Sequence, residues 1–158
     1  MTTTPAATPT ASPETIAALQ GALAAEHVAV FGYGVLGAHL LGTQRQSADQ
    51  MWNSHRARRD RLRAYVETAG ATPVVAAPAY RLPSPVSSAR TAAQLAARLE
   101  DGVTAGYAGL AGAADPALRR YAAQAMQEAT VRAVRWRGSP PAAFPGLTGA
   151  ELYPKEQD

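Results

Sequence analysis

Apolar positions near the start of the chain recur in alternating steps of three and four: Ile16, Leu19, Leu23, Val30, Tyr33, Gly37 and Leu40, with Glu26 filling the slot between Leu23 and Val30. That spacing marks one face of a helix buried in a bundle. Ser12-Pro13-Glu14 starts the helix with a serine cap, a proline in the first turn and an acid beside it. The pattern predicts a first helix to about Leu41, ended by Gly42. Gly32, Gly34 and Gly37 inside it each cost about 1 kcal/mol of helix stability relative to alanine, which predicts close contact with a neighbouring helix or subunit.

A second helix, started by a Ser47–Gln50 capping box or a few residues before it, presents Ala48, Trp52, His55, Arg59, Leu62, Val66 and Ala69 on one face and ends at Gly70. The stretch from Ala71 to Ser87 holds Pro73, Pro78, Pro83 and Pro85, and is neither helix nor central strand. In an extended form it reaches about 50 Å, more than the roughly 37 Å of a 25-residue helix. It can therefore travel the height of a bundle and leave the helices on either side of it parallel. A third helix begins near Ser88 or Thr91 and runs to about Ala113, carrying Leu95, Leu99, Val103, Tyr107 and Leu110. Asp115-Pro116 opens a fourth at once, through Leu118, Tyr121, Ala125, Met126, Ala129 and Trp136, and Gly138-Ser139-Pro140-Pro141 stops it. The expected fold is an all-α four-helix bundle with a long crossover between helices 2 and 3. Residues 1–11 are expected to be disordered, 12–138 to form the bundle, and 139–158 to be a proline-rich tail whose Phe144, Leu147, Leu152 and Tyr153 could pin it to the surface.

Composition supports this class. The chain is 47% hydrophobic but 6% aromatic, so the core must be built from alanine, leucine and valine, whose small side chains suit close helices better than a sandwich. The absence of cysteine excludes disulfides, thiolate metal sites and cysteine nucleophiles. No signal peptide is evident at the N-terminus and no apolar run looks long enough to span a membrane, which leads to a cytoplasmic assignment. Net charge is +3, and Lys155 is the only lysine.

One polar residue from each helix falls near its midpoint: Glu26, His55, Glu100 and Glu128. A buried carboxylate costs several kcal/mol unless it is paired, protonated or bound to a metal. Four such groups at one level are how a bundle builds a carboxylate metal site. Here the chain resembles the ferritin-like superfamily and, more closely, the actinobacterial ferritin-like family known as domain of unknown function 4439. The matching stretches are Leu23-Ala24-Ala25-Glu26-His27 with Tyr33-Gly34, His55-Arg56-Ala57-Arg58-Arg59-Asp60, Leu99-Glu100-Asp101-Gly102-Val103, and Gln127-Glu128-Ala129 continuing to Arg135-Trp136-Arg137-Gly138. The resemblance implies a ferritin-like bundle and leaves activity undefined. A di-iron site of that superfamily takes a glutamate from each of two helices and a Glu-x-x-His from each of the others. Glu26 and Glu100 match the single acids. Trp52-x-x-His55 keeps only the histidine and Glu128-x-x-Val131 only the glutamate. Two of six ligands are missing.

Two readings of these residues compete. Iron or manganese, as a di-iron-type or a mononuclear centre held by Glu26, His55, Glu100 and Glu128, would make the protein a metal-dependent oxidoreductase. Alternatively a closed network with Arg59, Arg132, Tyr33 and Tyr107 satisfies the acids without a cofactor, leaving a non-catalytic binding or structural module. The second is preferred, because two ligands are gone and two arginines stand near the site. A third reading places RNA or a ribosome on the outward arginines Arg56, Arg58, Arg61 and Arg63, although no aromatic interleaving accompanies them. Glycine- and alanine-rich helix surfaces lead to the expectation of a homodimer.

Overall fold

In the computed structural model, residues 11–139 are described, and they form four helices with no strand among them. The expectations for residues 1–10 and for Phe144, Leu147, Leu152 and Tyr153 lie outside the described residues. α1 spans Pro13–Gly37, α2 Gly42–Thr68, α3 Ala89–Ala111 and α4 Pro116–Arg137. Three helices start with side-chain caps, those at Ser12 and Asp115 as predicted. Ser12 Oγ accepts from Thr15 N, Ser88 and Thr91 form a reciprocal capping box, and Asp115 accepts from Ala117 N ahead of Pro116. Gly138 closes α4 in the left-handed conformation, at φ 74°.

Two boundaries differ from the expectation. α1 ends at Gly37 rather than near Leu41, and Gly42, at φ 55°, opens α2 instead of closing α1. The physical reason is Arg45. Its Nη1 donates to Gly37 O at 2.9 Å, so a side chain from the next helix takes up an α1 terminal carbonyl. Ser47 is therefore interior to α2, and the cap position, Leu41, makes no side-chain cap bond. α1 also reaches the length and mean hydropathy (1.2) of a membrane-crossing helix, contrary to the sequence expectation, because alanines and few charges raise its average. In the fold it packs against both α2 and α3.

The helices are ordered α2–α1–α3–α4 around the bundle. Side-chain pairs set their directions. Gly37 meets Arg45 and Glu26 meets His55, so α1 is antiparallel to α2; Tyr33 meets Glu100 and Glu26 meets Tyr107, so α1 is antiparallel to α3, and α2 runs parallel to α3. The crossover makes this possible by running along α1. Gln20 bonds Thr72 O and Val74 N, at 2.7 and 2.8 Å. His27 Nε2 donates to Val74 O at 3.0 Å, and Phe31 packs edge-on against Tyr80. Arg98 then receives the far end through Pro83 O at 3.1 Å. α1 and α3 approach closely at two glycines. A Cβ on Gly106 would stand 2.5 Å from Ala25 Cβ, and one on Gly32 would strike the Leu99 side chain. Gly34 faces open space, so close packing compensates Gly32 but not Gly34.

The core is divided. Leu19, Leu23, Leu62, Val66, Tyr107 and Leu110 fill one end. Tyr33, Leu36, Leu40, Leu95, Ala96 and Leu99 fill the other. Glu26, His55 and Glu100 are fully buried between them.

Candidate functional site: a closed polar layer

His55 bridges two carboxylates. Its Nδ1 lies 2.7 Å from Glu26 Oε2 and its Nε2 lies 3.2 Å from Glu100 Oε1. Each glutamate also accepts from a tyrosine on the other's helix. Tyr33 OH donates to Glu100 Oε1 and Tyr107 OH to Glu26 Oε1, both at 2.7 Å. The pattern follows from sequence spacing. Tyr33 and Tyr107 each stand seven residues after their own helix's glutamate. Two turns on an antiparallel pair bring each tyrosine level with the opposite acid. Trp136 Nε1 donates to Tyr33 OH at 3.0 Å, which closes that end of the layer from α4. The Tyr33 ring stacks on the His55 imidazole, with centroids 5.1 Å apart.

Protonation follows from this geometry. Burial pushes the His55 pKa down, but hydrogen bonds to Glu100 and Glu26 and the charges of both push it up and prevail, so it is raised. An imidazolium donates from both nitrogens, which is what two flanking acceptors require. Burial, reinforced by the adjacent carboxylate, raises the Tyr33 and Tyr107 pKa values and keeps both as phenols able to donate.

Glu128 is not part of this layer. The inner face of α4 is Ala122, Ala125, Ala129 and Ala133, all buried, and Glu128 lies one residue, or about 100°, away from it. Its side chain is 40% exposed, at the seam between α2 and α4. There Oε2 is held by Arg58 Nη2 and, at 3.3 Å, by Arg132 Nη2, while Oε1 accepts from Gln124 at 3.1 Å. Arg132 also donates to Ser54 Oγ at 3.1 Å, and its Nη1 stands 3.9 Å from Glu100 Oε2. Arg132 is thus the link between seam and core.

Arg59, expected in the network, pairs with Asp60 at 2.8 Å instead. Its position on α2 directs it toward the crossover, beside His27 and Val74. Of the outward arginines, Arg56 lies over the Trp52 ring and Arg61 over the Tyr65 and Tyr121 rings. Arg63 is exposed. Arg58 turns inward to Glu128. The periodicity placed Arg58 on the surface; the only sequence signal for its inward turn is the Glu128–Arg132 pair on the facing helix. Trp136 as a donor to the layer and Ser54 as an acceptor at the seam were likewise not foreseen.

Whether a metal fits is decided by the donor set. The His55 ring stands between Glu26 and Glu100 and uses both nitrogens on them, so the three groups do not converge on a common point. Glu128 is directed to two guanidiniums, and a third positive charge beside Glu100 would oppose Arg132. Among the described residues no group of three or more His, Cys, Asp or Glu side chains is arranged to hold a metal ion. The residues present do not fit the di-iron arrangement that the resemblance implies.

A family model described as "Domain of unknown function (DUF4439)" matches residues 18–149, and the chain belongs to that family. The crystal structure of a conserved hypothetical protein, rv2844, from Mycobacterium tuberculosis is similar to it. Identity is 34% and the TM-score 0.76, covering 79% of this chain and 96% of that one. Among curated proteins, none matches the chain.

Proposed function

We propose that this member of the family is a non-catalytic binding or structural module, a bundle whose mid-height polar layer is closed by its own side chains. One observation carries the reading: a single imidazole, fully buried, spans the two buried carboxylates and occupies the space where a shared ligand would sit. Two tyrosines donate to the carboxylates and a tryptophan to Tyr33, and Arg132 stands 3.9 Å from Glu100 Oε2, the one carboxylate oxygen of the pair without a hydrogen bond. Such a layer is worth little as net stability against an apolar core, because desolvating the charges offsets their attraction. Its use is specificity. Apolar pairing between alanine-rich helices tolerates register slips, and a buried layer whose donors and acceptors match only in one alignment does not.

Elemental analysis of protein purified without chelator tests this directly. The reading predicts substoichiometric iron, manganese and zinc, and a thermal midpoint unchanged by EDTA. One equivalent of iron or manganese per chain, lost in both Glu26→Ala and Glu26→Gln, would overturn it in favour of a metal-dependent oxidoreductase.

A further inference from the structure

The seam between α2 and α4 is built differently from the other three sides of the bundle. Among the described residues no Cα of α2 comes within 8 Å of a Cα of α4, whereas α1–α2, α1–α3 and α3–α4 are all in close backbone contact. Two cavities lie along the opening. One, of about 270 Å³, is lined by Gln50, Met51, Arg132, Arg135 and Trp136. The other, of about 210 Å³, is lined by Ser54, Arg58, Arg61, Tyr121 and Glu128. The Arg132–Ser54 hydrogen bond and the Arg58–Glu128–Arg132 ion pairs cross the seam between them. Four arginines face this opening against one lining carboxylate.

The two sides of that ion pair are unequal. The Arg58 and Arg132 side chains are each 12% exposed, while Glu128 is 40% exposed. Arg58 Nη1 and Tyr121 OH, both at the second cavity, are buried with no hydrogen-bond partner, while Arg132 Nη1, also without one, faces the equally unpartnered Glu100 Oε2 at 3.9 Å. A buried guanidinium N–H without an acceptor is costly. The arginines are therefore the fixed, under-satisfied half of the site, and the Glu128 carboxylate is the half that can leave. We propose that the α2–α4 seam binds a small organic carboxylate, with Arg58 and Arg132 holding its carboxylate where Glu128 now lies and its apolar body in the same cavity, beside Tyr121 and Ala125. Glu128 is then a built-in competitor that occupies the two arginines until the ligand arrives. Arg–carboxylate pairing favours this class, since a guanidinium presents paired N–H donors to a planar acceptor. The inference deepens the binding-module reading and rests on it in one respect: Arg132 must be free of a metal site at Glu100.

Calorimetric titration of the full chain with benzoate, hexanoate and inorganic phosphate, in low salt, tests the proposal. Saturable one-site binding of the carboxylates is expected, weakening as salt is raised. Glu128→Gln removes the internal competitor and should tighten benzoate binding about tenfold, and Arg58→Gln should weaken it tenfold or more. Arg135→Gln, at the exposed rim, gives a second variant with no buried partner, and a smaller loss is expected there. Absence of saturable carboxylate binding to both the wild type and Glu128→Gln overturns the proposal, as does phosphate binding without carboxylate binding, or an affinity unchanged in Glu128→Gln. Elemental analysis separately reads the binding-module assignment, so the two failures are distinguishable.

Discussion

Tyr33 and Tyr107 stand in a reciprocal relationship: each donates a 2.7 Å hydrogen bond to the glutamate on the other's helix, Tyr33 to Glu100 and Tyr107 to Glu26. The exchange ties α1 to α3 at two levels on either side of His55. It also means that neither tyrosine is redundant. Removing the Tyr107 hydroxyl leaves Glu26 Oε1 buried without a donor, and Tyr107→Phe should lower the unfolding free energy by about 1.5–3 kcal/mol. Tyr33→Phe should cost at least as much, because it also strands the Trp136 N–H. Urea denaturation of the two variants, read by circular dichroism, checks both. Losses within 0.5 kcal/mol of zero would show that the carboxylates find other donors.

Replacing His55 removes the group that bridges Glu26 and Glu100. His55→Leu should destabilise the fold by about 3–5 kcal/mol, the usual cost of breaking one partner out of a buried charged set. Glu26→Gln and Glu100→Gln added to His55→Leu should recover part of the loss, since the layer then carries no unpaired charge. If the triple variant is no more stable than the single one, packing of the imidazole rather than its charge accounts for the effect.

The raised His55 pKa has a signed consequence for stability. The folded state binds this proton more tightly than the unfolded chain, where the ordinary value is 6.5. The stabilisation is therefore fully present below pH 6.5, and is lost as pH rises through the folded-state value. Denaturation midpoints should fall from pH 6 toward alkaline pH in the wild type, and this decline should be absent from His55→Gln. A wild-type midpoint that rises over that interval would contradict the raised pKa.

Glycine substitutions separate the packed face of the bundle from the open one. Gly106→Ala gains about 1 kcal/mol of helix propensity but sets a methyl 2.5 Å from Ala25 Cβ, where two helix backbones must part. Overpacking of this kind costs about 1–3 kcal/mol, so the net effect should be destabilising. Gly34→Ala meets nothing within 4 Å and should stabilise by up to about 1 kcal/mol. Thermal unfolding of the two variants should therefore move in opposite directions.

Much of the fold was legible because alternating three–four spacing and caps are local signals. Ser12-Pro13, Ser88 and Asp115-Pro116 each start a helix where the sequence places it. Glu26, His55 and Glu100 were legible as a layer because they interrupt apolar faces. Glu128 misled for a physical reason. Leu118, Tyr121, Ala125 and Glu128 make a plausible register, but the true inner stripe is a run of four alanines, whose weak apolar signal was outweighed by larger neighbours. Where α1 ends was not legible, because Arg45, eight residues further on, terminates it through its side chain. The choice of Asp60 over the core by Arg59, and of Glu128 over solvent by Arg58, depends on side-chain direction in the folded state, which spacing alone does not encode.

The ¹⁵N spectrum of histidine-labelled protein at pH 7, recorded before and after one equivalent of Zn²⁺, most directly tests the claim that the mid-bundle layer is closed by His55. A His55 imidazole with both ring nitrogens protonated, and resonances that Zn²⁺ leaves in place, is the predicted result. A His55 ring with one unprotonated nitrogen that shifts stoichiometrically on adding Zn²⁺ would contradict the account.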